Sequence, residues 1–497
     1  MVNNNVSKQI FNSTIYNYFG SFSLVILAFI SLSYLVRNLS IEQFGQYNLI
    51  LSTQIFFVLL LNLGFPSIIL RFVPEYIVKN DFATSKKIIF FSVTIVFLIG
   101  IIVLIIVQIL SRIFPNLLDK LFLSGYLFLS ALLGLLREEV RIFEATFFAL
   151  LKQGYKICFE ILSAIIKILL FVLSIKFGFG LLGVVLSIGI ADIFLIFAYL
   201  IRINRYLYSN DKQANLSKYR LFTFGLKEYM AKILSFFWDT RIDAYFITLF
   251  LGTASTGIFY FAINMATMLA EYTPGSIMQP ISQVVFTRQY AKYENQKELS
   301  YLFNLNNKLK AFFAFPIFTI FILSFDKIVN LFFNKYNEAI NLFPFISLFM
   351  LFYVFLVPIR NVITTLEKSE ITVISSMIFL YKIPATIFLT KKFGLIGTTF
   401  AIGSTIFFYF VIQLFLTKRL IKINYPWRAF ATILINSLIM GILILLTKPF
   451  IKNIFSLICC TILSIFLYIA VSFFNKAFNS YDREIINKPF NKTIWNF

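Results

Sequence analysis

The sequence predicts an all-α polytopic membrane protein of about fourteen transmembrane helices. It arranges them as two pseudo-symmetric six-helix lobes around a central cavity, followed by two further helices. Three observations carry this. The 497 residues are 59% hydrophobic and only 13% charged, which excludes an ordinary soluble domain. Apolar runs of about 20 residues follow one another with short polar breaks, each long enough to cross a hydrocarbon core as a helix. Finally, residues at span boundaries recur at a shared offset, the mark of a duplicated lobe.

The spans begin near Ile15, Phe44, Ile88, Leu121, Lys156, Leu181, Leu221, Thr256, Ala311, Ala339, Ile371, Leu395, Trp427 and Asn453. Pro66, Phe72, Tyr76 and Gly183 each lie 214 residues before Pro280, Phe286, Tyr290 and Gly397. Lys176-Phe-Gly-Phe-Gly-Leu-Leu-Gly183 and Lys392-Phe-Gly-Leu-Ile-Gly397 each open a long apolar stretch. A second echo, Leu39…Gly45 against Leu251…Gly257, falls at 212. The repeat divides the chain into an N-terminal lobe (1–205), a C-terminal lobe (206–422) and an extra helix pair with its tail (423–497). Pro316, Pro344, Pro358 and Pro384 sit inside later spans. Each removes a backbone hydrogen bond, which makes the second lobe the candidate for bending.

The net charge is +22. In a soluble protein this would point to nucleic acid; here Lys and Arg accumulate in cytoplasmic loops instead. With the N-terminus inside, those loops hold roughly 29 of them against about 11 outside. The richest segments are Arg71–Lys87, Arg137–Lys156, Arg202–Arg220, Arg288–Lys310 and Lys418–Arg428. An even span count puts the C-terminus inside too. The first apolar run lacks a small-residue cleavage site and reads as the first helix, not a signal peptide. Cys158, Cys459 and Cys460 fall in apolar helices and read as packed small side chains. Histidine is absent, which removes the commonest metal ligand and the usual near-neutral proton relay. No cofactor motif or phosphate loop is present.

The chemistry lies in ionisable residues that the spans tolerate. A charge at the bilayer centre costs about 2.5–3.5 kcal/mol on insertion scales, so it faces a watery cavity or a partner. In the seventh span Glu228, Lys232, Ser235, Asp239 and Asp243 fall on one helical face, flanked by Lys227 and Arg241. That stripe reads as the lining of an aqueous path, with a structural Glu228–Lys232 pair as the plainer alternative. Lys156, Glu160, Ser163 and Lys167 repeat the pattern in the fifth span, and Thr372, Ser375 and Lys382 in the eleventh. Lys382 is the counterpart of Lys167 at an offset of 215. Arg360 in the tenth span and Asp192 in the sixth complete the set. Arg137, Arg141 and Glu144 share a face of the fourth span, where interfacial solvation explains them equally well. Lys167, Lys232, Arg241, Arg360 and Lys382 are therefore the candidate substrate-binding cations, suited to an anion such as phosphate or pyrophosphate. Asp192, Glu228, Asp239, Asp243, Arg71 and Glu75 are candidates for ion coupling or gating.

The stretches Leu39-Ser-Ile-Glu-Gln-Phe-Gly-Gln-Tyr47, Asn62-Leu-Gly-Phe-Pro66, Arg71-Phe-Val-Pro-Glu75, Arg241-Ile-Asp243 with Gly257-Ile-Phe259, and Lys392-Phe-Gly-Leu-Ile-Gly397 resemble Wzx-type O-antigen flippases over essentially the whole chain. The resemblance implies the fold of the multidrug/oligosaccharidyl-lipid/polysaccharide exporters. It also implies a substrate: an undecaprenyl-pyrophosphate-linked oligosaccharide, turned from the inner to the outer leaflet of the cytoplasmic membrane by alternating access. Partners implied are that lipid-linked substrate, the bilayer, polysaccharide polymerase and chain-length machinery, and H+ or Na+ as coupling ion. The first span carries no charge before Arg37, unlike the arginine-bearing first helices that lipid II flippases resemble each other in. An ion-coupled small-molecule exporter of the same fold is the alternative. A membrane glycan polymerase or glycosyltransferase is less favoured, because no sizeable outer loop or nucleotide-sugar domain is present; the chain reads as a transporter, not an enzyme.

Overall fold

The computed structural model describes residues 4–78, 81–120, 123, 125–150, 152–206, 218–237, 240–273, 286, 296–366, 368, 370–421, 425–487 and 496–497. Among the described residues every regular element is a helix. The first stretch holds α1 (Asn4–Asn38), α2 (Ile41–Asn62), α3 (Phe65–Val78), α4 (Phe82–Ile113) and α5 (Pro115–Lys120). Then come α6 (Leu127–Ala149), α7 (Gln153–Lys176), α8 (Gly180–Tyr206), α9 (Lys218–Phe236), a 3-10 turn (Thr240–Ile242) and α10 (Asp243–Tyr272). The remainder is α11 (Gln296–Phe332), α12 (Ala339–Thr365), α13 (Glu370–Ser376), α14 (Phe379–Lys418), α15 (Trp427–Thr447), α16 (Ile454–Asn475) and α17 (Ser480–Asn487).

Ten stretches among the described residues are long and apolar enough to cross a bilayer. One of them, Glu370–Lys418, turns at Gly394 and supplies two spans. The other expected spans are α1, with its apolar stretch Phe22–Asn38, and α6 and α9, which carry more charges than the rest. The protein is a multi-pass membrane protein, and each expected span has its helix.

A glycine turn joins successive spans at Gly252 in α10 (φ 86°, ψ 172°) and at Gly394 in α14 (φ 60°, ψ −142°). Only glycine adopts such backbone without strain. Both turns are tied alike. Thr256 donates to the Gly252 carbonyl at 3.1 Å and bonds the Thr248 hydroxyl at 2.9 Å. Thr398 donates to the Gly394 carbonyl at 3.2 Å and bonds Thr390 at 2.8 Å. The repeated Lys-Phe-Gly motif is thus a hairpin between spans: Gly178, its first-copy counterpart, also has positive φ (78°).

By packing, the chain divides into two compact units, Met1–Gly257 and Ile258–Phe497. In the first, α6 is the central helix, packed against α2, α3, α4, α7 and α8. Small residues permit the approach: Gly134 on α6 meets Phe57 of α2, and Gly100 on α4 meets Leu135 of α6. Leu61, Ile69, Val73, Val96, Val140, Phe143 and Tyr199 share one apolar core there. A helix enclosed by five others can carry charges that a lipid-facing helix could not.

In the second unit α11 packs on α12, α15 and α16, and α12 on α14. The extra helix pair is bonded in: Tyr468 donates to the Phe312 carbonyl at 2.7 Å, Asn436 to Ser472 at 3.2 Å, and Asn475 to Asn436 at 2.6 Å. The terminal helix α17 is pinned by buried Asp482, which accepts from Tyr301 at 2.9 Å and Lys308 at 2.6 Å.

Several expectations need correction. The five-residue stripe of the seventh span does not lie on one helix. α9 ends at Phe236, and Asp243 opens a new helix beyond the 3-10 turn; its carboxylate lies in the first turn of that helix, at the positive end of the helix dipole. The eleventh span is also broken, at Met377–Ile378, so Thr372 and Ser375 are separated from Lys382. Ser375 and Ser376 bond back to the Ile371 and Thr372 carbonyls at 2.7 and 2.8 Å, a habit that bends helices within a β-branched run. Cys158 and Cys459 are exposed, not packed, because the outer surface of a membrane helix is itself apolar. Pro280, Tyr290 and Asp239 lie outside the described residues.

Candidate functional site: buried charge networks

The first unit gathers its charges on α6, in two networks. The first joins α2, α6 and α9. Asn62, at the end of α2, donates to Glu138 Oε1 at 2.7 Å, and its own Oδ1 accepts from Lys232 Nζ at 3.0 Å. Arg141 stands 3.6 Å from the other Glu138 oxygen. The result is a relay, Lys232–Asn62–Glu138–Arg141, with Glu138 wholly buried at its centre. Glu228 acts on Lys232 electrostatically, but the bonded partner of Lys232 on the far side is the Asn62 amide. Asn62 is held in place locally: Leu63 (φ 44°) and Gly64 (φ 81°) turn the chain out of α2, and Gly64 N–H donates back to Asn62 Oδ1 at 3.3 Å.

The second network joins α6, α7 and α8. Arg137 pairs with Glu144 at 3.2 Å and with Asp192 at 3.3 Å. Lys167 is half-buried on α7, and it too feels the Asp192 charge. Lys156 and Glu160 pair at 2.7 Å one helix over. Asp192 therefore sits between two cations from different helices, which a carboxylate in a dry site requires.

At the α3–α9 contact Glu75 accepts both terminal nitrogens of Arg220 at 3.3 Å and one from Arg71 at 3.4 Å. Phe72 lies beneath both guanidinium groups and packs edge-on against Phe224. These arginines are about half exposed, so each pair contributes little alone.

In the second unit Lys310 on α11 and Arg360 on α12 lie within electrostatic reach of one another. The Arg360 guanidinium stands 5.7 Å from the Tyr353 ring centre. Lys310 and Lys382 are each only 1% exposed. Two like charges brought together in an apolar unit favour an anion between or beside them. Asp243 is fully buried, and Arg241 is exposed on the 3-10 turn.

Residues 10–286 match the family model described as "Polysaccharide biosynthesis protein", which is more than half of the chain. The chain belongs to the polysaccharide biosynthesis protein family. Among curated proteins none matches it. Solved structures give the fold that this family member adopts. It is similar to the lipid II flippase MurJ in an inward closed conformation, at 19% identity and TM-score 0.66, over 98% of this chain and 99% of that one. It is also similar to an inward-facing multidrug resistance MATE family transporter of the MOP superfamily (14%, TM-score 0.59, 80% and 95%). A third is a MOP superfamily transporter from Pyrococcus furiosus (16%, TM-score 0.57, 84% and 96%).

Within this family member, sequence reasoning singled out Lys232, Lys167 and Asp192 but missed Glu138, Glu139, Lys310 and Asn62. Glu138 and Glu139 were legible as an acidic pair between Arg137 and Arg141 in an apolar span. Lys310 looked like a loop-end cation, and the structure buries it. Asn62 carried no signal, since an asparagine at a helix end is ordinarily a turn residue.

Proposed function

We propose that the chain flips lipid-linked oligosaccharide repeat units across the membrane by alternating access of two helical lobes. The observation that carries this reading is the Lys232–Asn62–Glu138–Arg141 relay: a membrane chain holds two cations on one buried carboxylate, with a neutral amide as the exchangeable link. A phosphate group can displace such a link, because it offers several acceptors to the same two cations. Lys167 adds a further cation in the same unit, and the second unit carries its own buried cations, Lys310 and Lys382, with Arg360 near Lys310. Family membership supports a glycan substrate, and the fold supports a translocating rather than a catalytic role.

The finer reading is an undecaprenyl-pyrophosphate carrier, moved from inner to outer leaflet of the cytoplasmic membrane, with both termini in the cytoplasm. The sugars and pyrophosphate occupy the polar interior while the polyprenyl tail stays in lipid, which lowers the cost of moving a polar headgroup through hydrocarbon. O-antigen is the class of glycan that the sequence resemblance favours, and a polymerase is the downstream partner. Deleting the gene tests the reading. Lipid-linked repeat units should accumulate on the cytoplasmic side; normal surface glycan with no such accumulation overturns it.

A further inference from the structure

Glu139 follows Glu138 on α6, yet the two carboxylates are treated in opposite ways. Glu138 is bonded by Asn62 and faced by Arg141. Glu139 is 5% exposed, and both of its oxygens are buried without a hydrogen-bond partner among the described residues. A buried carboxylate lacking both donor and counter-cation does not sustain a negative charge; it takes up a proton.

We propose that Glu139 is a proton-binding site, loaded in this conformation and emptied when α6 moves its carboxyl toward water or a cation, so that transport is driven by protons. The charges on the surrounding helices are already committed or distant. On α3, Glu75 is taken by Arg71 and Arg220; on α8, Asp192 is taken by Arg137, and Arg202 near the end of the helix lies over the Tyr155 ring at 3.9 Å. On α7, Lys156 is paired with Glu160, and Lys167 feels Asp192. On α4, Lys86 and Lys87 lie in the opening turns and Arg112 in the last; α2 offers Glu42 in its first turn. The charge that acts on Glu139 is that of Glu138 beside it, which opposes a second negative charge. Among the described residues no three Asp, Glu or Cys side chains gather to hold a metal ion, and a hard cation needs about six oxygens. A lone dry carboxyl suits a proton.

The role in transport rests on the flippase reading; the proton site itself does not. Infrared difference spectra of the purified full-length chain in liposomes test the site. A protonated carboxyl band at neutral pH should be lost in Glu139→Gln and kept in Glu138→Gln. A band unchanged by Glu139→Gln overturns the site, whatever the substrate. Glutamine has the shape of the loaded acid, so the variant should reach the membrane at wild-type abundance and melt at the wild-type temperature. In a strain lacking the gene it should nonetheless fail to restore surface glycan, while Glu139→Asp restores part. Full restoration by Glu139→Gln, with output still rising and falling with an imposed pH gradient, overturns the coupling. Output that follows a sodium gradient in place of a pH gradient overturns it equally. If the wild type itself restores no glycan, the flippase reading falls while the infrared result stands by itself.

Discussion

Gly45 on α2 and Gly257 on α10 lie backbone against backbone. A Cβ on Gly45 would strike the Thr253 carbonyl and the Gly257 amide, and one on Gly257 would strike the Ile41 carbonyl and the Gly45 amide. They lie 212 residues apart, at matching places in the echo Leu39…Gly45 and Leu251…Gly257. Small residues let membrane helices approach this closely, where packing replaces the hydrophobic drive available in water.

Gly45→Ala and Gly257→Ala should each destabilise the protein by about 1–3 kcal/mol, the usual cost of overpacking. Melting in detergent measures this. The double variant should lose less than the sum, because either substitution already forces the helices apart.

Asn62→Ala should abolish surface glycan and cost about 1–3 kcal/mol, since it strips a donor from buried Glu138 and an acceptor from Lys232. Lys232→Met should lose function with a smaller loss of stability, because Lys232 is only partly buried. Complementation of a deletion strain, normalised to membrane abundance, separates the two.

Arg137→Leu should lower stability by about 1–3 kcal/mol, as it removes the partner of Glu144 and one of the two cations beside buried Asp192. Adding Asp192→Leu should restore part of the membrane abundance, though not transport. Quantitative blotting and the complementation assay give the two readouts.

Asp482→Ala should release α17, since Tyr301 and Lys308 both bond this one carboxylate. Limited proteolysis should then remove the C-terminal tail faster than in the wild type, with the preceding helices intact. Equal cleavage rates would show that Phe478 and Phe497, which pack on Phe312, hold the tail alone.

The spans were legible because bilayer thickness sets their length, and the Lys-Phe-Gly echo was legible because a hairpin turn needs a glycine wherever it recurs. The seventh and eleventh spans misled for one reason. Helical spacing assumes an unbroken helix, whereas Thr240–Ile242 and Met377–Ile378 interrupt these two. Lys232 was found because a lysine in an apolar run is costly anywhere. Its partner Asn62 lies 170 residues away, and no local pattern points to it.

The sequence by itself determined that this chain is helical and membrane-spanning, because length and apolarity are properties of the chain read in one dimension. Tertiary structure decided which charges meet. The Glu138 and Glu139 carboxylates are chemically identical neighbours; Glu138 has Arg141 of its own helix and receives the Asn62 amide of α2, while the helices folded around α6 leave Glu139 dry.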